Sequence, residues 1–113
     1  MMMSEKEIQN NIRLGVNDIA VTFRANVGQL YTEDGRVITT GLPKGFPDLF
    51  GYRKSDGRII FLEVKTRNGR LRPEQQRFLE QVQKDGCIAG VVRSVDEARS
   101  LIQSEVATVS ENE

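Results

Sequence analysis

The chain has 113 residues, 38% of them hydrophobic and 28% charged, and its 16 basic and 16 acidic side chains cancel. That length is enough for one sheet-and-helix core, and no apolar run approaches the roughly 20 residues of a membrane helix. Histidine is absent and Cys87 is the only cysteine, which excludes Ser-His-Asp triads, HExxH zinc sites, histidine-dependent nucleases, Cys-rich zinc sites and an internal disulfide.

Residues 4–16, SEKEIQNNIRLGV, open as a helix capped by Ser4, with Glu5 and Glu7 at its positive end and Ile8 and Ile12 on one stripe. Glu5 falls on the side of that stripe and Glu7 points away from it. Residues 19–25, IAVTFRA, read as a strand. Residues 29–40 read as a hairpin turned by Asp34-Gly35. GLPKGFPD, residues 41–48, is loop, because its glycines and prolines forbid a regular element. LFGYR is a short strand, and Asp56-Gly57 turns it into RIIFLEVK, residues 58–65.

A basic, Gly-containing connection, TRNGRLR, leads to a helix begun by Pro73 and stopped by Gly86, with Phe78, Leu79 and Val82 as its apolar stripe. CIAGVV, residues 87–92, reads as a buried strand with Cys87 as a small core residue, and Ser94 caps a last helix, VDEARSLIQ. Tyr31 and Tyr52 are expected in packing. The order α, β, hairpin, β, β, α, β, α predicts an α/β domain, a mixed sheet flanked by helices. A single domain is expected over residues 1–103, with 104–113 a flexible acidic tail. The N-terminus lacks a basic-then-apolar signal layout, so a cytoplasmic location is expected.

Charge is uneven along the chain. Residues 44–77 carry 9 basic and 4 acidic groups, against 4 and 5 before them and 3 and 7 after. A locally basic face suits a polyanion, although by itself it equally describes a solvated surface.

The apolar run IIFL ends on Glu63 and Lys65. Strand alternation puts Ile59, Phe61, Glu63 and Lys65 on one face and Ile60, Leu62 and Val64 on the other, with Glu63 and Lys65 about 6–7 Å apart. Pairing around the Asp56-Gly57 turn brings Asp48 opposite Glu63 or Lys65. An exposed edge-strand ion pair is the plain alternative, and a strand apolar on both faces argues against it. Two carboxylates and a lysine suit a hard cation such as Mg²⁺, with Asp48 and Glu63 as ligands and the Val64 carbonyl as a candidate third. Lys65 would orient water or stabilise charge on a phosphate.

The Pro47-Asp48 pair followed by Glu63-Val64-Lys65 resembles the PD-(D/E)xK nuclease signature. GLPKGFPDLFG followed by FLEVKTRNGRLRPEQQRFLEQVQKDG resembles the VRR-NUC branch, the virus-type replication-repair nucleases, and FRANVG with an N-terminal helix glutamate is similar to its small stand-alone phage members. The resemblance covers residues 4–103. It implies a restriction-endonuclease-like fold with an αβββαβα-type core. It also implies an Mg²⁺- or Mn²⁺-dependent DNA endonuclease, structure-specific like a Holliday junction resolvase, homodimeric, and active in phage replication or recombination.

In the resemblance Asp48 and Glu63 match the metal-binding carboxylates, Lys65 the catalytic lysine, and Gln75 the glutamine that follows the ExK strand. Glu5 matches the helix glutamate supporting the metal, in preference to Glu7. Arg24 and Asn26 match an R-x-N pattern. Arg72 stands where serine is more usual, which puts the Gln75 helix cap in question and offers a phosphate contact. Lys44, Arg67, Arg70, Arg72 and Arg77 are the expected DNA-contacting cations. Residues 27–43 and the final helix are the candidate dimer surfaces. Flap, nick or duplex cleavage, a non-catalytic DNA-binding module, and a small-molecule or protein-interaction domain are the alternatives.

Overall fold

Ser4 opens the first helix, α1 (Glu5–Gly15), through a reciprocal capping box: its hydroxyl accepts the Glu7 backbone N–H at 3.2 Å, and the Glu7 carboxylate accepts the Ser4 N–H at 2.8 Å. The cap occupies Glu7 and leaves Glu5, half-buried one turn before Ile8, on the inward side. The computed structural model describes residues 3–27 and 29–104; the expected acidic tail lies outside them from residue 105 onward.

Among the described residues there follow β1 (Ala20–Arg24), β2 (Gln29–Tyr31), β3 (Val37–Thr39), β4 (Leu49–Arg53), β5 (Ile59–Val64), α2 (Pro73–Lys84), β6 (Ile88–Val92) and α3 (Val95–Gln103). The main sheet has the order β1-β4-β5-β6. β1, β4 and β5 are antiparallel, and β6 joins β5 in parallel after the α2 crossover. β2 and β3 form a separate antiparallel hairpin. This is the mixed sheet flanked by helices expected from the element order.

The period of two divides the sheet. Ile60, Leu62 and Val64 turn to one face, fully buried, and meet Ile8 and Ile12 of α1 and Ala98 and Ile102 of α3. On the opposite face Phe61 packs edge-on against Phe46 and Phe78, with ring centroids 5.7 and 5.2 Å away. Phe46 also meets Phe50, which touches Phe23, so an aromatic row runs across that face from β1 to α2.

Two expectations are corrected. Tyr31 and Tyr52 are not packing residues: they are 72% and 40% exposed, Tyr31 on the hairpin and Tyr52 on the part of the sheet face that α2 does not reach. Cys87 precedes β6 rather than lying in it and is half-buried, because the buried positions of that strand begin at Ile88. The stripe of α2 also differs in detail, since Leu79 is buried together with the polar Gln75, while Phe78 and Val82 are half-buried.

Gly45 fixes where Asp48 enters the sheet. Its φ of +93° favours glycine, and a Cβ there would lie 2.6 Å from the Glu74 backbone carbonyl in the first turn of α2. The loop before β4 therefore abuts the start of α2, with Pro47 fully buried behind it. Gly45→Ala is expected to cost about 2–3 kcal/mol, combining left-handed strain with a backbone clash. Urea unfolding checks this, and an unchanged midpoint would contradict the contact.

Candidate active site

The β4–β5 register pairs Leu49 with Leu62, which carries Asp48 and Glu63 to adjacent positions at one end of the sheet. The Asp48 Oδ2 accepts the Val64 backbone N–H at 2.9 Å, and its own carbonyl accepts the Ala25 N–H at 2.9 Å. Asp48 is thereby pinned to both neighbouring strands while its side chain stays half-buried.

Glu63 is 2% exposed, and an ionised carboxylate so far from water needs partners. Its Oε2 accepts the Gln75 Nε2–H at 3.0 Å. Its Oε1 is buried and receives no N–H or hydroxyl donor. The Lys65 Nζ stands 3.7 Å from Oε2, too long for a hydrogen bond, so its charge offsets only part of the burial. Burial first, then repulsion from the Asp48 carboxylate, push the Glu63 pKa up to about 8. Lys65 opposes this, whereas a hydrogen bond with Asp48 and the charge of Glu5 on α1 add to it.

Gln75 joins the two elements. Its Oε1 accepts the backbone N–H of Arg72, the residue capping α2, at 2.8 Å, and this orients the amide so that its NH₂ meets Glu63. The question raised by arginine at the cap thus has a geometric answer. Arginine has no acceptor to offer the helix, but the half of the capping box that Gln75 supplies is intact.

Lys65 is 7% exposed. Its backbone N–H reaches the Val92 carbonyl at 3.2 Å, and its aliphatic stem lies under the turn Thr66–Gly69, where a Cβ on Gly69 would come within 3.3 Å of its Cδ. The Arg93 Nη1 donates to the Thr66 and Gly69 carbonyls at 2.6 and 2.9 Å and ties that turn to the end of β6. Arg93 escaped the sequence reading because one cation after an apolar strand looks like ordinary surface. Gly69 was legible only as part of a flexible basic connection.

Asp48, Glu63, Lys65 and Gln75 therefore come together, and Glu5 approaches them from α1. Lys44, Arg67, Arg70, Arg72 and Arg77 are exposed. Arg72 is partly engaged, its Nε paired with Glu74 at 3.0 Å. Arg24 and Asn26 are exposed at and just beyond the end of β1.

A family model for the VRR-NUC domain matches residues 29–96, more than half of the chain. The chain belongs to the VRR-NUC family. A solved structure described as a VRR_NUC domain superimposes with a TM-score of 0.60 at 26% identity, covering 89% of this chain and 96% of that one. A comparison with curated protein sequences gives no match. The fold is accordingly restriction-endonuclease-like, and VRR-NUC membership implies nuclease-type activity on DNA in repair or replication. The matched span contains Asp48, Glu63, Lys65, Gln75 and Arg93 but not α1 with Glu5.

VRR-NUC nucleases generally depend on a divalent metal. Among the described residues no three His, Cys, Asp or Glu side chains are gathered as a ready cage. The site still fits a hard cation in its chemistry: Asp48 and Glu63 offer oxygen ligands side by side, and one buried Glu63 oxygen receives no N–H or hydroxyl donor from the protein. Glu63 also sets a pH dependence for the metal-free protein. Between the ordinary carboxylate pKa and about 8, the folded state holds a proton that the unfolded chain has released, so stability falls as pH rises through that window. Glu63→Gln keeps an acceptor for Gln75 and nothing to ionise. It is expected to raise the metal-free melting temperature at pH 8 by about 3–8 °C and to flatten the slope, and an unchanged slope in thermal melts would contradict the assignment.

Proposed function

We propose that this chain is a divalent-metal-dependent DNA endonuclease that cuts branched DNA in the manner of a Holliday junction resolvase, working as a homodimer in the cytoplasm during phage replication or recombination. The observation that carries the reading is the Glu63 carboxyl group, buried beside Asp48 and Lys65 with one oxygen that no N–H or hydroxyl of the protein reaches.

In this reading Asp48 and Glu63 would hold Mg²⁺ or Mn²⁺, with the Val64 carbonyl as a third ligand and Glu5 in support. The ion supplies Lewis acidity to the phosphate and lowers the pKa of water. Water adds its oxygen to phosphorus as the bond from phosphorus to the departing sugar oxygen breaks; the proton lost by the attacking water passes to solvent, and the departing oxygen takes one up from solvent to leave as a hydroxyl. The Lys65 ammonium donates to the charge that grows on the phosphate oxygens, in a site dry enough for that interaction to count. Gln75 holds Glu63 by one oxygen and leaves the other, which has no N–H or hydroxyl donor, to face Asp48 and the ion. Lys44, Arg67, Arg70 and Arg77 grip the flanking phosphates, and Arg72 joins them when it leaves Glu74.

The test is a cleavage panel of four-way junction, flap, splayed-arm and duplex DNA with Mg²⁺, Mn²⁺ or EDTA. Junction cleavage that needs metal is expected, with Glu63→Ala and Lys65→Ala each at least about 100-fold slower. Preferential cutting of flaps, nicks or duplex would replace the junction specificity. Binding without cutting under every metal would favour a DNA-binding module.

A junction has two strands to cut, and two sites related by symmetry match it. Val27, Tyr31, Val37 and Ile38 are exposed on and before the β2–β3 hairpin, an apolar surface that supports a dimer contact there. The apolar residues of α3 are spent on the core instead, so residues 27–43 are the surface carried forward. Sedimentation at about 50 μM, well above the micromolar dissociation constants of modest dimers, is expected to show a dimer for the natural sequence and a monomer for Ile38→Asp. A monomeric natural sequence would end the dimer proposal.

A further inference from the structure

We infer that Arg93 is a positioning residue for Lys65, acting through the turn Thr66–Gly69; this rests on the nuclease reading above for its catalytic consequence, though not for its geometry. Four observations converge. Lys65 is the last residue of the ExK motif and lies one residue past β5, where its backbone N–H is held by the Val92 carbonyl while its side chain projects beyond the paired strand. The turn that follows closes on itself through the Gly69 N–H and the Thr66 carbonyl at 3.0 Å. Its glycine lies against the lysine stem so closely that an added Cβ would stand 3.3 Å from Cδ and 3.4 Å from Cβ of Lys65. The Arg93 Nη1 donates to both ends of that turn, at 2.6 and 2.9 Å.

Arg93 itself has little freedom. It directly follows Val92, whose carbonyl accepts the Lys65 N–H, and its own backbone N–H donates to the Glu97 carboxylate at 2.8 Å in the first turn of α3. One end of β6 therefore holds Lys65 twice, through the backbone by Val92 and over the side chain by Arg93. The consequence is a roof on the lysine. With the turn fastened, the stem lies between Gly69 and the sheet and the ammonium stands 3.7 Å from Glu63 Oε2. With the turn released, the four-carbon stem regains its rotamers and the ammonium its water. The outward residues of the same turn, Arg67 and Asn68, are exposed, so the turn that roofs the lysine also faces whatever polyanion binds.

The experiment uses the full chain with Arg93→Met, Arg93→Gln and Arg93→Lys, and has two independent readouts. The first is pulse acetylation of lysines by an amine-reactive ester, followed by peptide mass mapping, with no DNA or metal. Lys65 is expected to be labelled about tenfold faster in Arg93→Met, the scale of a local opening that loses roughly one fastening contact, with Lys54 and Lys84 unchanged. Arg93→Lys, which keeps a cationic donor, is expected to restore much of the protection. Unchanged Lys65 labelling in Arg93→Met and Arg93→Gln would overturn the inference whether or not the protein cuts DNA. Uniformly faster labelling of all lysines would overturn it in favour of a general stabilising role, and Arg93→Gln tests the point again if Arg93→Met fails to fold.

The second readout is steady-state cleavage. A fall in kcat of about tenfold to 100-fold with KM nearly unchanged is expected, as for a displaced catalytic group. A raised KM with kcat unchanged would instead make Arg93 a DNA contact. A natural sequence that cuts nothing removes the nuclease reading and leaves the labelling result to judge the roof.

Discussion

Burying an ionised carboxylate costs several kcal/mol unless hydrogen bonds or charges answer it, and at Glu63 the protein answers so incompletely that the metal-free group keeps its proton up to about pH 8. Gln75 takes one oxygen, Lys65 stands near the same oxygen, and the other receives no N–H or hydroxyl donor. Well-packed cores do not usually retain such an atom. Much of the surrounding structure follows from keeping it there. α2 begins where Gln75 can reach β5, Gly45 lets the Asp48 loop lie against the start of α2, and the Thr66–Gly69 turn shuts water away from the lysine.

The sheet supplies the precision. Asp48, Glu63 and Lys65 stand on or directly beside paired strands, and a strand register is either right or shifted by a whole residue, which reverses every side chain. The hydrophobic face that contains Ile60, Leu62 and Val64 fixes that register from below. The charged end of β5 is thus positioned by its apolar middle. The same strand serves as core and as site because its two faces are covered by different layers, α1 and α3 on one side and α2 on the other.

Much of this was legible in the sequence, for physical reasons. Period-two alternation in IIFLEVK separated the two faces correctly, and Asp56-Gly57 fixed the partner strand, so the convergence of Asp48 on Glu63 followed from a turn and a count. The Ser4 cap and the Ile8–Ile12 stripe located α1, whose capping box occupies Glu7. Contacts made by backbone atoms were beyond reach. Nothing in TRNG announces that its carbonyls are held by Arg93, and nothing in GFPD announces that Gly45 touches a helix carbonyl. Tyr31 and Tyr52 were misread because aromatic residues usually seek burial, whereas here the hairpin and the β1–β4 end of the sheet leave apolar surface open.

The central claim is that the donor-less Glu63 oxygen belongs to a cation site built with Asp48. Calorimetric titration of the DNA-free protein with Mn²⁺, on the natural sequence and on Glu63→Gln, addresses it without any assumption about the substrate. The account predicts saturable binding to the natural sequence in the millimolar range or tighter and at least about tenfold weaker binding to the variant, since a neutral amide replaces a charged ligand of a hard ion. Equal binding by the two proteins, or none by either, would contradict it.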